Sequence, residues 1–229
     1  MKKKQLVIFG SAEIAELANY YFSNDSEYEV VAFTVDDDFV TDKTLQNLPV
    51  IPWSETLKRF SRDSVSIHVA LSYKGLNKLR ESKYFQVINA GFKTASYVSS
   101  KANIWSEFKL GNNCFFLEQQ NIQPNVRIGD NVMLWSGNHI GHGSSIGDHS
   151  YFASHIVVSG HVNIGKRCFI GVNAAIKDFT NIGDDCFIGM HASVTKDMPN
   201  LSIALPAQST YILNEDSRAS KIRSSVFGS

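Results

Sequence analysis

From Val98 to Val194 a bulky apolar residue returns at every sixth position, seventeen times without a slip. The series begins Val98, Ile104, Leu110, Phe116 and ends Ile176, Ile182, Ile188, Val194. Glycine follows directly at Gly111, Gly129, Gly141, Gly147, Gly165, Gly171, Gly183 and Gly189, and a mostly small residue comes four places after the anchor, as at Cys114, Ser144, Cys168 and Ala174. A period of six matches neither the helical repeat nor strand alternation, so a repeat architecture is indicated. Six residues make one short strand and one turn, and three such units close a triangular coil. The bulky residue then fills the interior, the small one fits the corner, and glycine supplies turn dihedrals. The pattern predicts a parallel β-helix.

The first part of the chain follows a different rhythm. Gln5–Phe9 is a continuous apolar strand, followed by Gly10-Ser11-Ala12-Glu13 and a helical pattern over Ile14–Phe22. Tyr28–Val35 is a second strand that ends at the acidic run Asp36–Asp38. A short strand over Leu48–Ile51, a short helix over Glu55–Phe60, a strand over Val65–Leu71 and a helix to about Lys83 come next. Phe85–Ala90 and Ala95–Val98 then lead into the repeat. Strands alternating with helices predict a small parallel-sheet α/β domain, Rossmann-like, over residues 1–95. The solenoid takes 96–208, with Ala204–Ala207 as a loop over its last coil, and 209–229 is a C-terminal tail. In such a sheet ligands sit at the carboxyl ends of the strands, here Gly10–Glu13, Asp36–Asp38 and Ser72–Gly75. One glycine stands where a dinucleotide turn wants three, which argues against a full dinucleotide. A nucleotide held by the first helix N-terminus and Asp36 or Asp37 is one reading of the acidic run, and a solvated turn is the other.

Composition narrows the function. Of 229 residues, 43% are hydrophobic and 19% charged with zero formal net charge, which suits a globular protein able to bury a core and not a general binder of nucleic acid or membrane surface. Gln5–Phe9 is too short for a signal-peptide core, and no later run is long enough to span a bilayer. Cys114, Cys168 and Cys186 all fall on the inward small position, so they are expected as buried free thiols of a cytoplasmic protein, neither disulfides nor metal ligands.

Six of the seven histidines lie in the solenoid: His139, His142, His149, His155, His161 and His191. None occupies an inward repeat position, which weakens a core role for all six; His149 and His191 are nevertheless expected in structural or interface roles, and for His155 that role and a functional one are both open. With eighteen residues per coil, His142 lies beneath Gly160 and beside His161, and His139 lies beneath Val157. Three histidines near one edge supply a general base with supporting donors. His149, His155 and His161, six apart, point from three different faces and cannot meet within one chain.

The hexapeptide repeat resembles the left-handed β-helix acyltransferases. A small α/β domain followed by an uninterrupted solenoid is similar to the sialic-acid O-acetyltransferase-like family, which includes N-acetyltransferases of nucleotide-linked amino sugars in bacterial surface-glycan (lipopolysaccharide or O-antigen) pathways. The resemblance runs from about Leu6 to Ala207. His139-Ile140-Gly141-His142-Gly143-Ser144, followed by Ser159-Gly160-His161-Val162, has the histidine spacing of the UDP-N-acetylglucosamine O-acyltransferases of lipid A synthesis. It implies His142 as the catalytic base, with His139 and His161 lining the acceptor cleft. Many relatives place Asp or Glu directly after the catalytic histidine; here that residue is Gly143, so the partner orienting His142 is open.

The resemblance further implies an acyl-CoA co-substrate, acetyl-CoA being commonest, in a groove between subunits of a homotrimer. It would be contacted by Tyr151, Gly160, Val172 and Met190, with Ala204–Ala207 near the pantetheine. Gly10, Ser11, Ala12, Asp36 and Asp37 match the family's nucleotide-binding loops. One carbonic-anhydrase subclass uses this solenoid with zinc held by two histidines five residues apart and a third two coils away. No pair here has that spacing, so no metal is expected. The expected activity is direct acyl transfer to the amine of a nucleotide-linked sugar, with His142 taking the proton and the Gly160 N–H holding the oxyanion. Transfer to a sugar hydroxyl, or a non-catalytic scaffold that binds a nucleotide sugar, are the alternatives.

Overall fold

The computed structural model describes residues 3–105 and 107–228. Six strands form the first sheet: β1 (Lys4–Phe9), β2 (Tyr28–Val35), β3 (Thr44–Leu45), β4 (Leu48–Pro52), β5 (Val65–Val69) and β6 (Lys93–Thr94). Their order is β3-β4-β2-β1-β5-β6, parallel throughout except for the β3–β4 edge hairpin. That hairpin turns through Gln46 and Asn47 at φ 48° and 64°, both left-handed, as a tight two-residue turn requires. Leu6–Phe9 are all buried because helices cover both faces of the central strand. These helices are α1 (Glu13–Asn24), α2 (Trp53–Arg59) and α3 (Lys78–Asn89). The last continues beyond Lys83 through residues expected to lead out of the domain. Arg80, Tyr84 and Val87 keep one helical face buried to its end. Strand order reverses at β1, between β2 on one side and β5 on the other, and a crevice opens at the carboxyl ends there.

From Tyr97 onward the chain is a left-handed parallel β-helix of two-residue strands in three sheets. The first face runs from Tyr97–Val98 to Ile203–Ala204, the second from Asn103–Ile104 to Ser193–Val194, and the third from Lys109–Leu110 to Asn181–Ile182. Pairing is in register at eighteen residues, as in His139 beside Val157 and Ile140 beside Val158. The anchors fill a continuous interior with the small residues, and Cys114, Cys168 and Cys186 are fully buried there. Ile203–Ala204 pairs with Phe187–Ile188 and adds a last strand where a loop is expected. The final helix, α4 (Ser217–Phe227), has its N-terminus capped by Asp216, which accepts from the Arg218 N–H. No helix among the described residues is long and apolar enough to cross a membrane.

The glycines after the anchors do not supply turn dihedrals. The left-handed residue is the third after most anchors: Asn113 (φ 53°), Asn131 (57°), His155 (59°), Arg167 (56°), Asp185 (57°) and others. Asn, Asp and His tolerate that conformation better than bulkier residues, which places four of the solenoid histidines at its corners. Glycine instead serves close approach between coils: a Cβ on Gly111 would fall 2.3 Å from the Gly129 carbonyl oxygen, and one on Gly171 would fall 2.4 Å from the Met190 nitrogen.

The three faces meet different surroundings. Outward residues of the first face, Tyr97, Phe115, Met133 and Tyr151, are apolar and buried under the first domain, where Phe22 and His68 pack against Phe115. Docking is reinforced by polar contacts: the Asn113 carboxamide pairs with the Val69 N–H (2.8 Å) and carbonyl (3.3 Å), and the Tyr84 hydroxyl donates to Asp130 (2.8 Å). The third face carries a polar ladder, Ser145 to Asn163 to Asn181 to Asp197. The second presents His139, Val157, Ala175 and Ser193, with Val157, Ala175 and Ser193 exposed.

His149 lies off the inward repeat positions and is buried all the same, at the interface between the solenoid and the first domain. It is 3% exposed beneath α3, hydrogen-bonded to Asn131 (2.9 Å) and edge-on to Tyr84 and Phe85. Burial lowers its pKa against the opposing pull of Glu81, 3.5 Å away, so the contact joins a neutral ring to a carboxylate.

Candidate active site

His142 and Gly160 sit on the corner between the second and third faces, one coil apart. A Cβ on Gly160 would lie 2.8 Å from Cε1 and 3.0 Å from Nε2 of His142, so only glycine leaves room for this imidazole. His161 stands edge-on to His142, ring centres 4.9 Å apart, and stacks on Phe179 at 5.0 Å and 12°. Both histidines are exposed. His139 lies on the second face three residues before His142, next to Val157. The Gly160 N–H donates to no protein group among the described residues, which leaves it free to meet developing negative charge.

One residue of the corner has no signal in histidine spacing. The Gln123 Oε1 accepts the His142 backbone N–H at 2.9 Å and lies 3.1 Å from its Nδ1. The trace it leaves in sequence is negative: Gln123 follows Ile122 where the repeat often places glycine, one coil below Gly141.

The residues expected to hold acyl-CoA divide. Val172 and Met190 stack eighteen apart on the corner between the first and second faces, both exposed, while Gly160 lies on the opposite edge of the second face. Tyr151 belongs to neither corner. It is 5% exposed on the first face, stacked on Phe169 at 5.4 Å and edge-on to Tyr73, so its surroundings are those of the domain interface.

That interface holds a cleft of about 710 Å³, lined by Ala12 and Glu13, by Ser72, Tyr73 and Lys74, and by Trp135 and Tyr151. It lies at the carboxyl ends of β1 and β5, where strand order reverses. Of the residues expected to bind nucleotide, only Ala12 lines it. Gly10 is buried at φ 137°, and a Cβ there would fall 2.7 Å from the Ala70 carbonyl oxygen, so glycine lets the β1–α1 turn cross the end of β5. Ser11 faces a separate small recess with Thr41 and Asp42. Asp36 is engaged by Lys83 at 2.7 Å and Gln86 at 3.1 Å. Asp37 accepts the Ser54 N–H at 3.0 Å, in the first turn of α2, and hydrogen bonding from Ser54 lowers its pKa. Ser72, Tyr73 and Lys74 fall in the expected Ser72–Gly75 strand end, whereas Trp135 was not legible as a site residue, because the solenoid wall of the cleft joins it only once the domains dock.

The thiols offer no nucleophile. Burial pushes Cys114 and Cys168 up to about 12, leaving both protonated inside the helix. Among the described residues no three His, Cys, Asp or Glu side chains converge as a metal site.

The bacterial transferase hexapeptide (six repeats) family model matches residues 125–160, the coils that carry His139, His142 and Gly160. No curated protein sequence matches the chain. Among solved structures, the acetyltransferase domain of PglB from Neisseria gonorrhoeae is similar at 19% identity and TM-score 0.78, covering 90% of this chain and 100% of that one. The same domain has been solved with acetyl coenzyme A. PerB from Caulobacter crescentus, in complex with CoA and GDP-perosamine, is similar at 21% identity and TM-score 0.78, with 89% and 97% covered. WeeI from Acinetobacter baumannii is similar at 19% identity and TM-score 0.63, with 92% and 100% covered. The chain is a hexapeptide-repeat left-handed β-helix protein. Its α/β domain and solenoid together have the architecture of these acetyltransferases.

Proposed function

We propose that the protein is an acetyl-CoA-dependent N-acetyltransferase acting on a nucleotide-linked amino sugar of bacterial surface-glycan synthesis. The observation that carries this reading is His142: an exposed imidazole seated in the notch above which Gly160 stands, on a corner of a hexapeptide solenoid. PglB and PerB, similar in fold, are solved with acetyl-CoA and with CoA plus GDP-perosamine, which supports the two substrate classes.

In the proposed reaction the neutral sugar amine attacks the thioester carbonyl and the amine proton passes to Nε2 of His142. The Gly160 N–H stabilises the oxyanion, and collapse expels the CoA sulfur, which leaves as the thiol after protonation. No acyl-enzyme forms, since every thiol is enclosed.

The cleft beside Trp135 follows a strand of the first face, whereas His142 follows a strand of the second. One chain therefore presents acceptor cleft and base on different edges of the prism. A homotrimer packed through the second faces would bring one subunit's cleft toward the next subunit's His142. Val172 and Met190 flank that same face and suit CoA contacts. Tyr151 suits the acceptor cleft, with Ala12 lining it, Gly10 permitting the turn that brings Ala12 there, and Asp36 and Asp37 holding the neighbouring loop.

Thiol release from acetyl-CoA, with a panel of nucleotide-linked amino sugars and matching hydroxy sugars, tests the reading. Release with an amino sugar, reduced by roughly two to four orders of magnitude in His142→Ala, is expected. Release with hydroxy sugars alone would make it an O-acetyltransferase, and saturable binding without release a scaffold.

A further inference from the structure

We propose that Gln123 positions His142 and selects its tautomer, doing with a neutral amide what an adjacent carboxylate does elsewhere. The inference deepens the reading of His142 as a base, on which its kinetic consequences rest.

The geometry leaves little freedom. Gln123 Oε1 accepts the His142 backbone N–H at 2.9 Å, so the oxygen and not the amide nitrogen must face this corner. The same oxygen lies 3.1 Å from Nδ1. An oxygen that only accepts requires Nδ1 to carry the proton, which leaves the lone pair on Nε2. Gly160 lies across the ring, where a Cβ would stand 2.8 Å from Cε1, 3.0 Å from Nε2 and 3.2 Å from Nδ1, and its N–H is free among the described residues.

Gly143 cannot perform this task. It sits at φ 67°, and a Cβ there would fall 2.6 Å from Nδ1 of His161. The place of a neighbouring acidic side chain is filled by a second imidazole, and the orienting group comes from the coil below. Gln123 is half-buried, and its own N–H donates to the Ile140 carbonyl at 3.0 Å, which anchors it against the coil of His142. A neutral partner fixes the ring without adding the negative charge that would stabilise the imidazolium.

The test is the ¹⁵N spectrum of the full-length protein, with the His142 imidazole identified by its loss in His142→Ala. Neutral His142 should carry its proton on Nδ1, and Gln123→Ala should return it to the Nε2-protonated form that free imidazole prefers. In thiol-release kinetics Gln123→Ala should lower kcat by roughly 10- to 100-fold with the KM for acetyl-CoA unchanged. Gln123→Glu should recover most of the rate and move the acidic limb of the kcat/KM profile to higher pH. An Nε2-protonated His142 in the unsubstituted protein would overturn the inference, as would a Gln123→Ala protein with unchanged tautomer and kcat. The expected tautomer change with no acceptor turned over by any form would support the positioning role and sink the proposed activity instead.

Discussion

Gly143 and His161 exclude a side chain between them: a Cβ on Gly143 would stand 2.6 Å from the imidazole of His161. The relation is matched one coil position away, where Gly160 makes the same allowance for His142. Gly143→Ala combines this clash with a left-handed backbone, and should cost about 1–3 kcal/mol in urea unfolding. Gly143→Asp should lower turnover, because the carboxylate displaces His161. A gain in turnover would show that the corner had room for an acid after all.

Removing the aromatic wall of the cleft should separate acceptor from donor. Tyr73 is half exposed and packs edge-on against Tyr151 and Phe169, at 5.0 and 4.8 Å between ring centres. Tyr73→Ala should raise the KM for the nucleotide sugar by about 2- to 10-fold. The KM for acetyl-CoA should stay as it was. An equal effect on both would place the cleft on the path of CoA.

His68 couples stability to pH. It is 1% exposed between Phe22 and Phe115, with Nδ1 2.9 Å from the Ala95 carbonyl oxygen, and burial lowers its pKa from 6.5 to about 4. Between those two values the unfolded chain binds the extra proton, so stability is complete above pH 6.5 and falls toward pH 4. The loss from this residue is roughly 3 kcal/mol over the window. His68→Phe should flatten the pH dependence of the denaturation midpoint over the same range; an unchanged slope would assign it to other groups.

Arg167 ties the two domains at a corner of the solenoid. It binds Asp185 with two contacts of 2.8 Å and reaches Glu81 of α3 at 3.1 Å. Arg167→Ala should destabilise the chain by about 1–3 kcal/mol. Hydrogen exchange should rise first along α3. Exchange confined to the solenoid would mean that Glu81 contributes nothing to docking.

The solenoid was legible because its constraint is local and repeated. Each coil places Ile, Leu, Val or Phe inward every sixth residue, and the stacking of residues eighteen apart followed directly: His142 does lie beneath Gly160 and beside His161. The alternating strands and helices of residues 4–94 were legible for the same reason, as each element carries its own apolar period. What sequence spacing could not separate was why a residue type recurs. Glycine after the anchor resembles a turn signal, yet the left-handed residue is two places on, and glycine answers instead to the backbone of the next coil. Spacing marked His149 as structural or interfacial without showing what would cover it; contact with α3 made it a buried neutral ring, while His155 and His161 stayed exposed. The fold and the histidine pair therefore follow from short-range periodicity. The meeting of Trp135 and Tyr151 with the strand ends at Ala12 and Tyr73, the engagement of Asp36 by Lys83, and the Gln123 contact with His142 depend on contacts between segments 19 to about 140 residues apart. No local pattern encodes these, because only the docked chain brings their partners together.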